Sequence, residues 1–269
     1  MKSIEFEPNA KINIGLFVIS KRKDGYHNIE TIYYPIFSLK DKLTIRENPN
    51  IQGPNLVVSG LHLHVPPPKN LCVKAYNTIK RLHPGLPGVD IILEKNIPAG
   101  SGLGGGSSDA AFTMLGLREL FDLPISQESL FELAKTVGAD VAFFLENKPM
   151  YACGIGDELE ALDLEIKERI EIITSPYYSD TTMAYKNIQI KTEREPILLK
   201  EWIKQPIETW KEHIVNDFED YVFSKLPQLK KIKVELYEKG ALFCQMTGTG
   251  SAIYAIFPQP KPKTKAKAK

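Results

Sequence analysis

Residues 10–18, AKINIGLFV, alternate in character. Ile12, Ile14, Leu16 and Val18 fall on one face of an extended chain and Lys11, Asn13, Gly15 and Phe17 on the other, which predicts a strand. Asp24-Gly25 marks a turn, and Ile29 to Ile36 predicts the next strand. Shorter strand-like pieces follow at 42–45 and 56–58, and HVPPPKN (64–70) reads as a stiff extended connector. Residues 71–82 carry helical spacing, and 89–93 form a short apolar strand. From Ser108 to Phe121 the apolar positions Ala111, Met114, Leu115 and Leu117 predict a broadly buried helix. Ser126 opens a second helix over 127–137 in the capping-box-like SQES. GADVAFFL (138–145) fits a short helix or a strand, and its periodicity does not decide between them. Further on, a strand near 170–174 opens a second unit. A helical stretch over 203–222 is broken at Pro206, and another helix covers 226–239. Residues 240–257 read as strand, glycine-rich turn, strand.

Composition narrows the class without naming a chemistry. A chain of 269 residues suffices for one large domain or two small ones with a sizeable core, and 43% apolar with 25% charged residues is the make-up of a soluble globular protein. The net charge of +1 gives no global field that would favour nucleic acid or membrane. Five lysines crowd the last nine residues, so the body is mildly acidic and 258–269, PQPKPKTKAKAK, is expected to be a disordered basic tail. No apolar run approaches the roughly 20 residues of a membrane span, and MKSIE lacks the basic-then-apolar pattern of a signal peptide. Cys72, Cys153 and Cys244 are scattered and odd in number, which fits reduced thiols in a cytoplasm, with Cys153 a small core residue.

The densest chemical signal is NIPAGSGLGGGSSDAA, residues 96–111. Gly100 to Gly105 fits G-x-G-x-x-G, but the following helices succeed one another without an intervening strand, and Asp122 falls at a helix end, so a dinucleotide fingerprint is disfavoured. A Walker loop would need a lysine where Gly106 stands, and the H-R-D and D-F-G tripeptides of protein kinases are absent. A loose turn fits poorly with Pro98 at the start, Leu103 among the glycines and a strong helix at once after them. Glycines here let backbone N–H groups turn toward an anion, with Ser107 or Ser108 capping the helix and its positive end adding about half a unit charge. Phosphate binding without a Walker lysine is the better reading.

PAGSGLGGGSSDAA resembles the phosphate-binding motif of the GHMP kinase superfamily, and MTGTGSAIYAIF from Met246 resembles its C-terminal signature. AKINIGLFVISKRKDGYHNIETIYYPI carries K-x-N-x-G-L followed by R-x-D-G-Y-H-x-I-x-T, which is similar to one branch, the 4-diphosphocytidyl-2-C-methyl-D-erythritol kinases of non-mevalonate isoprenoid synthesis. The resemblance spans residues 10 to 257. It implies the α+β, two-domain GHMP kinase fold with the active site in the inter-domain cleft. The ATP-binding domain would cover 1–155 and the C-terminal domain 156–257. It implies ATP and Mg²⁺, with a small-molecule acceptor, 4-diphosphocytidyl-2-C-methyl-D-erythritol, and neither nucleic acid nor membrane. Mevalonate and homoserine kinases, or a non-catalytic nucleotide-binding protein, are the alternatives.

Residue by residue, the resemblance gives the ATP phosphates to Pro98, Ala99, Gly100, Ser101, Gly102, Leu103, Gly104, Gly105, Gly106, Ser107 and Ser108. It makes Lys11 an active-site cation and Asp140 the catalytic acid, where taken alone they read as a solvated strand lysine and a helix cap. Asn13, on the same strand face as Lys11, joins the substrate site. Tyr26 would stack on the cytosine, His27 would bond its edge, and Tyr177 would form the opposite face, with Tyr178 adjacent to it. Asn70 would touch the nucleotide. His62 and His64 share a strand face, yet two ligands make a poor metal site. No protein ligand for Mg²⁺ is identifiable.

Overall fold

The computed structural model describes residues 1–61, 66–191 and 199–259, apart from the Pro67 side chain. His62, His64 and the lysine tail from residue 260 lie outside the described residues. The first elements are β1 (Ser3–Phe6), β2 (Asn9–Lys21), β3 (His27–Lys40), β4 (Lys42–Glu47), β5 (Pro54–Gly60), α1 (Leu71–Leu82) and β6 (Val89–Lys95). After the glycine loop come α2 (Gly105–Leu120), α3 (Gln127–Val137), α4 (Val141–Glu146), β7 (Met150–Cys153), β8 (Glu158–Ala161) and β9 (Arg169–Ile173). The last are α5 (Thr181–Asn187), α6 (Leu199–Trp202), α7 (Phe218–Lys225), α8 (Pro227–Glu238), β10 (Phe243–Met246) and β11 (Ile253–Phe257).

The strands form three sheets, in the orders β1-β4-β6-β5, β2-β3-β7-β8 and β10-β11-β9. All pairings are antiparallel except that of β5 with β6. Helices α1 to α4 bury their apolar faces with the first sheet, in a core that includes Ile45, Ile91, Tyr76, Met114 and Phe143. A second core joins Ile12, Ile14 and Ile32 of the β2–β3 hairpin to Trp210, Phe243 and Tyr254. A third gathers Phe218, Val222 and Leu229 of the late helices on Cys244 and Met246.

Local signals place the elements near the site. Asn70 accepts a bond from Cys72 N and caps α1, whose Cys72, Ala75, Tyr76 and Ile79 point inward. That capping bond is the role the structure gives Asn70. Ser126 caps α3 through Ser129 N, and GADVAFFL resolves as the short helix α4. Helix α2 begins at Gly105, three residues earlier than its apolar spacing predicts, because Gly104 in a left-handed conformation (φ +72°) turns the chain into the helix. Neither Ser107 nor Ser108 caps it; both lie inside its first turns. The stretch expected to be helical over 203–222 splits into α6, a 3₁₀ turn at Ile207–Glu212 and α7. Pro206 interrupts it first, and residues 214–217 are then drawn into backbone bonds with β2: Leu16 N donates to Val215 O at 2.9 Å, and Asp217 N to Leu16 O at 2.9 Å. A division near residue 155 would pass between β7 and β8, which pair from Met150–Ala161 to Cys153–Glu158; we propose that it falls after Ala161.

Candidate active site

Strand β2 delivers the first candidate side chains. Lys11 and Asn13 share its inward polar face, and both are almost wholly buried. The Lys11 ammonium donates to Asn13 Oδ1 at 2.5 Å and lies 3.6 Å from Asp140 Oδ2. Asn13 is fixed in turn: its Nδ2 donates to Thr31 Oγ1 at 3.0 Å, and its backbone N–H to Thr247 Oγ1 at 3.0 Å. The strand's regular pairing is interrupted around Gly15, where φ is +68°. There the Gly15 N–H donates to Gln245 Oε1 at 2.8 Å, joining β2 to β10.

Asp140 stands at the N-cap position of α4, but its side chain makes no capping bond. Instead Oδ1 accepts the Tyr33 hydroxyl at 2.9 Å. Its side chain remains 29% exposed while that of Lys11 is 4% exposed, so the carboxylate is the member of the pair that an incoming molecule can reach. Burial lowers the Lys11 pKa, and Asp140 opposes that shift. Tyr33 is pushed well above the ordinary tyrosine value by burial and by the neighbouring Asp140, so it stays a hydrogen-bond donor.

The glycine loop passes beside this pair. Gly100, Gly102 and Gly104 all take positive φ, at +66°, +79° and +72°. Leu103 is buried as the loop's anchor, and its carbonyl accepts Lys11 N at 2.9 Å. A Cβ on Gly102 would collide with the carbonyl of Thr247, so this glycine is required for the loop to meet the second glycine turn. Ser101 closes its own turn by donating to Pro98 O at 2.6 Å, and its carbonyl accepts Ala252 N at 3.0 Å. Ala99, Gly100 and Gly106 are exposed, Gly105 is buried, Ser107 is half-buried, and the Ser108 hydroxyl is buried without a partner.

Part of this set lines one cavity of about 470 Å³, whereas Pro98, Ala99, Ser101, Leu103, Gly105, Gly106, Ser107 and Ser108 are not among its lining residues. Lys11, Asn13, Tyr33 and Asp140 meet there with Gly100, Gly102 and Gly104 of the loop, Gly248 and Thr249 of the C-terminal turn, and Tyr26 and His27. Tyr26 is 61% exposed at the mouth. Burial lowers the His27 pKa, so its imidazole is neutral at pH 7. The expected place of Tyr177 is not met. Tyr177 packs against the α7–β10 core, and its carbonyl accepts the Ser251 hydroxyl. Tyr178 lies over Gly100. The tyrosine that reaches the cavity from this later part of the chain is Tyr185 of α5, 5.2 Å from the His27 ring and 4.7 Å from Phe218. Asp180 caps α5 through Thr182 N and Met183 N, and that capping pattern ahead of TTMAYK is the sequence signal that identifies the helix and its tyrosine. Tyr33 was legible as the cross-strand partner of Asn13, and Thr247 as the first threonine of the C-terminal glycine turn.

Comparison with known proteins bears on the family and the fold. The model of the GHMP kinases N terminal domain matches residues 70–148, and that of the GHMP kinases C terminal matches 198–269. A 4-diphosphocytidyl-2-C-methyl-D-erythritol kinase of Azobacteroides pseudotrichonymphae genomovar. CFP2 is 42% identical over 94% of this chain and 93% of its own length. One from Bacteroides fragilis is 45% identical over 94% and 92%. The chain belongs to the 4-diphosphocytidyl-2-C-methyl-D-erythritol kinase family of GHMP kinases. Members of this family are ATP-dependent small-molecule kinases, and the fold agrees. The crystal structure of a 4-(cytidine 5'-diphospho)-2C-methyl-D-erythritol kinase superposes with a TM-score of 0.77 at 31% identity, covering 94% of this chain and 90% of that one. A mevalonate kinase from Methanococcus jannaschii shares the fold, with a TM-score of 0.63 at 14% identity over 95% and 91%. Among the described residues no helix is long and apolar enough to cross a membrane.

Proposed function

We propose that this GHMP kinase transfers the γ-phosphoryl group of ATP to the 2-hydroxyl of 4-diphosphocytidyl-2-C-methyl-D-erythritol, in the cytoplasm, as a step of non-mevalonate isoprenoid precursor synthesis. The observation that carries the reading is the meeting of the Lys11–Asp140 pair, the glycine loop and the Tyr26–His27–Tyr185 aromatics around one cavity. Relatives at 42% and 45% identity that carry this enzyme's name support the choice of acceptor.

In this reading the loop glycines hold the ATP phosphates through backbone N–H groups, and Tyr26 and Tyr185 flank the cytosine while neutral His27 bonds its edge. The reacting hydroxyl lies at Asp140. Its oxygen forms the new bond to the γ-phosphorus, the bond to the ADP oxygen breaks, and the Asp140 carboxylate takes the proton. Tyr33 and Lys11 hold that carboxylate from two sides, and the Lys11 ammonium offsets the charge gathering on the transferred group. Among the described residues no group of three His, Cys, Asp or Glu side chains converges on a metal position. Among the described residues the cavity has one carboxylate, Asp140, and it is already paired with Lys11. That donor set suits Mg²⁺ held chiefly by the nucleotide's own phosphates, and the bound ion would neutralise their charge.

The test is ADP release from ATP-Mg²⁺ with the cytidyl acceptor, mevalonate and homoserine offered separately. Turnover on the cytidyl acceptor alone is expected. Turnover on either of the others would keep the phosphate loop and discard the cytosine site.

A further inference from the structure

Beneath the glycine loop lies a second buried lysine that the reaction described above does not use. Lys95, the last residue of β6, is 2% exposed and points under the start of α2. Its ammonium is bonded to two carboxylates, Asp41 Oδ2 and, at 2.7 Å, Asp109 Oδ2, both equally sealed from water. Asp41 spends its other oxygen on the loop's incoming stem, accepting Asn96 N at 2.5 Å and Ile97 N at 2.8 Å. Asp109 belongs to α2, the outgoing stem. One ammonium therefore ties together the two ends between which the loop is strung. The closeness is enforced at Gly105, where a Cβ would come within 2.8 Å of Ile97 and 3.2 Å of the Lys95 ammonium.

The arrangement is electrostatically specific. A cation beneath the positive end of a helix is unfavourable, and so is its transfer out of water. Two carboxylates rather than one answer both costs: burial alone would lower the Lys95 pKa, and Asp109 and Asp41 together raise it. A simple structural ion pair would need only one acid, and it would have no reason to join the two stems.

We propose that Lys95, held by Asp41 and Asp109, is a positioning residue that sets the spacing of the glycine loop's stems and hence its grip on the ATP phosphates. This rests on the reading of the loop as the ATP site. The variant that tests it is Asp109→Ala, which cuts the tie to α2 yet leaves Lys95 and Asp41 as a neutral pair. Binding of ATP by calorimetry and steady-state kinetics on the full chain are the readouts. The Kd and KM for ATP should rise about ten- to hundredfold, with KM for the acceptor unchanged within about twofold. Asp109→Asn keeps an oxygen for Lys95 and should restore ATP binding to within about threefold of the wild type. Should Asp109→Ala fail to fold, the triple variant Asp41→Asn/Lys95→Met/Asp109→Ala leaves no buried charge unpaired and should show the same ATP-specific loss. Wild-type affinity for ATP in the folded variant, or a fall in kcat alone that follows the fraction unfolded, would overturn the positioning role. A wild-type chain that does not bind ATP would overturn the loop reading itself.

Discussion

Lys11 and Lys95 are buried alike, at 3% and 2% exposure, and they flank the same glycine loop. Their surroundings make them different instruments. Lys11 has one carboxylate partner at 3.6 Å, that partner opens into the cavity, and burial wins, so the lysine pKa falls. Lys95 has two partners sealed with it, the carboxylates win, and its pKa rises. Burial alone therefore says little about whether a charge does chemistry. The number of opposite charges and their access to solvent separate a group poised to interact with substrate from one that is part of the frame.

The sharpest way to break this contrast is Asp140→Asn. It should lower kcat by about 10²–10⁴-fold with ATP affinity little changed, and a loss of less than about tenfold would end its role as base. Next comes Lys95→Met, which strands two carboxylates and should cost about 3–5 kcal/mol of stability by thermal or denaturant unfolding. Burial already pushes the Asp109 carboxyl up to about 7, against the pull of Lys95. Removing the ammonium raises it further, so the folded state of the variant binds a proton more readily than the unfolded chain does. The deficit should accordingly shrink as pH falls toward about 7, where the wild-type carboxyl begins to take up its own proton, and change little below that; a deficit that grows on acidification would contradict the assignment. Lys11→Met, whose stranded acid reaches solvent, should lose activity with a smaller change in stability.

Smaller effects test the far side of the cavity. Stacking is worth about 1–3 kcal/mol per base, so Tyr26→Ala and Tyr185→Ala should each weaken acceptor binding about 5- to 150-fold, whereas Tyr177→Ala should leave it near wild type. Equal losses at Tyr177 and Tyr185 would restore the expectation drawn from sequence. The smallest effect is on pH dependence. Lys11 must stay protonated, and its lowered pKa should bring the alkaline limb of kcat/KM below the ordinary lysine value of about 10.4. A limb at or above that value would mean that Lys11 is not the group titrating.

What was legible in the sequence was whatever local rules write down. Helices 71–82 and 127–137 have strong caps and spacing, and the structure places them at those residues. The cation, its strand partner Asn13 and the carboxylate came from motifs whose residues meet in space. β1, β7 and β8 were missed because each is four residues long, too short for a period-two pattern to stand out, and gains its order from a neighbouring strand. Tyr185 was missed because α5 is seven residues long, less than two full turns, too short for a helical period to stand out. Asp41 and Lys95 are separated by 54 positions, and Asp41 sits in LKDKL, which reads as a solvated turn; only the folded chain brings them together.

The interruption in β2 at Gly15 has a mechanical consequence. The strand that carries Lys11 is hydrogen-bonded to β3 within one sheet, while Leu16 exchanges backbone bonds with residues 215 and 217 and Gly15 bonds Gln245. Lys11 thus rides on a weld between the two halves of the chain. Prying the halves apart would strand backbone groups of the very strand that holds it, so they should melt in a single step, with activity vanishing at the same denaturant concentration as secondary structure.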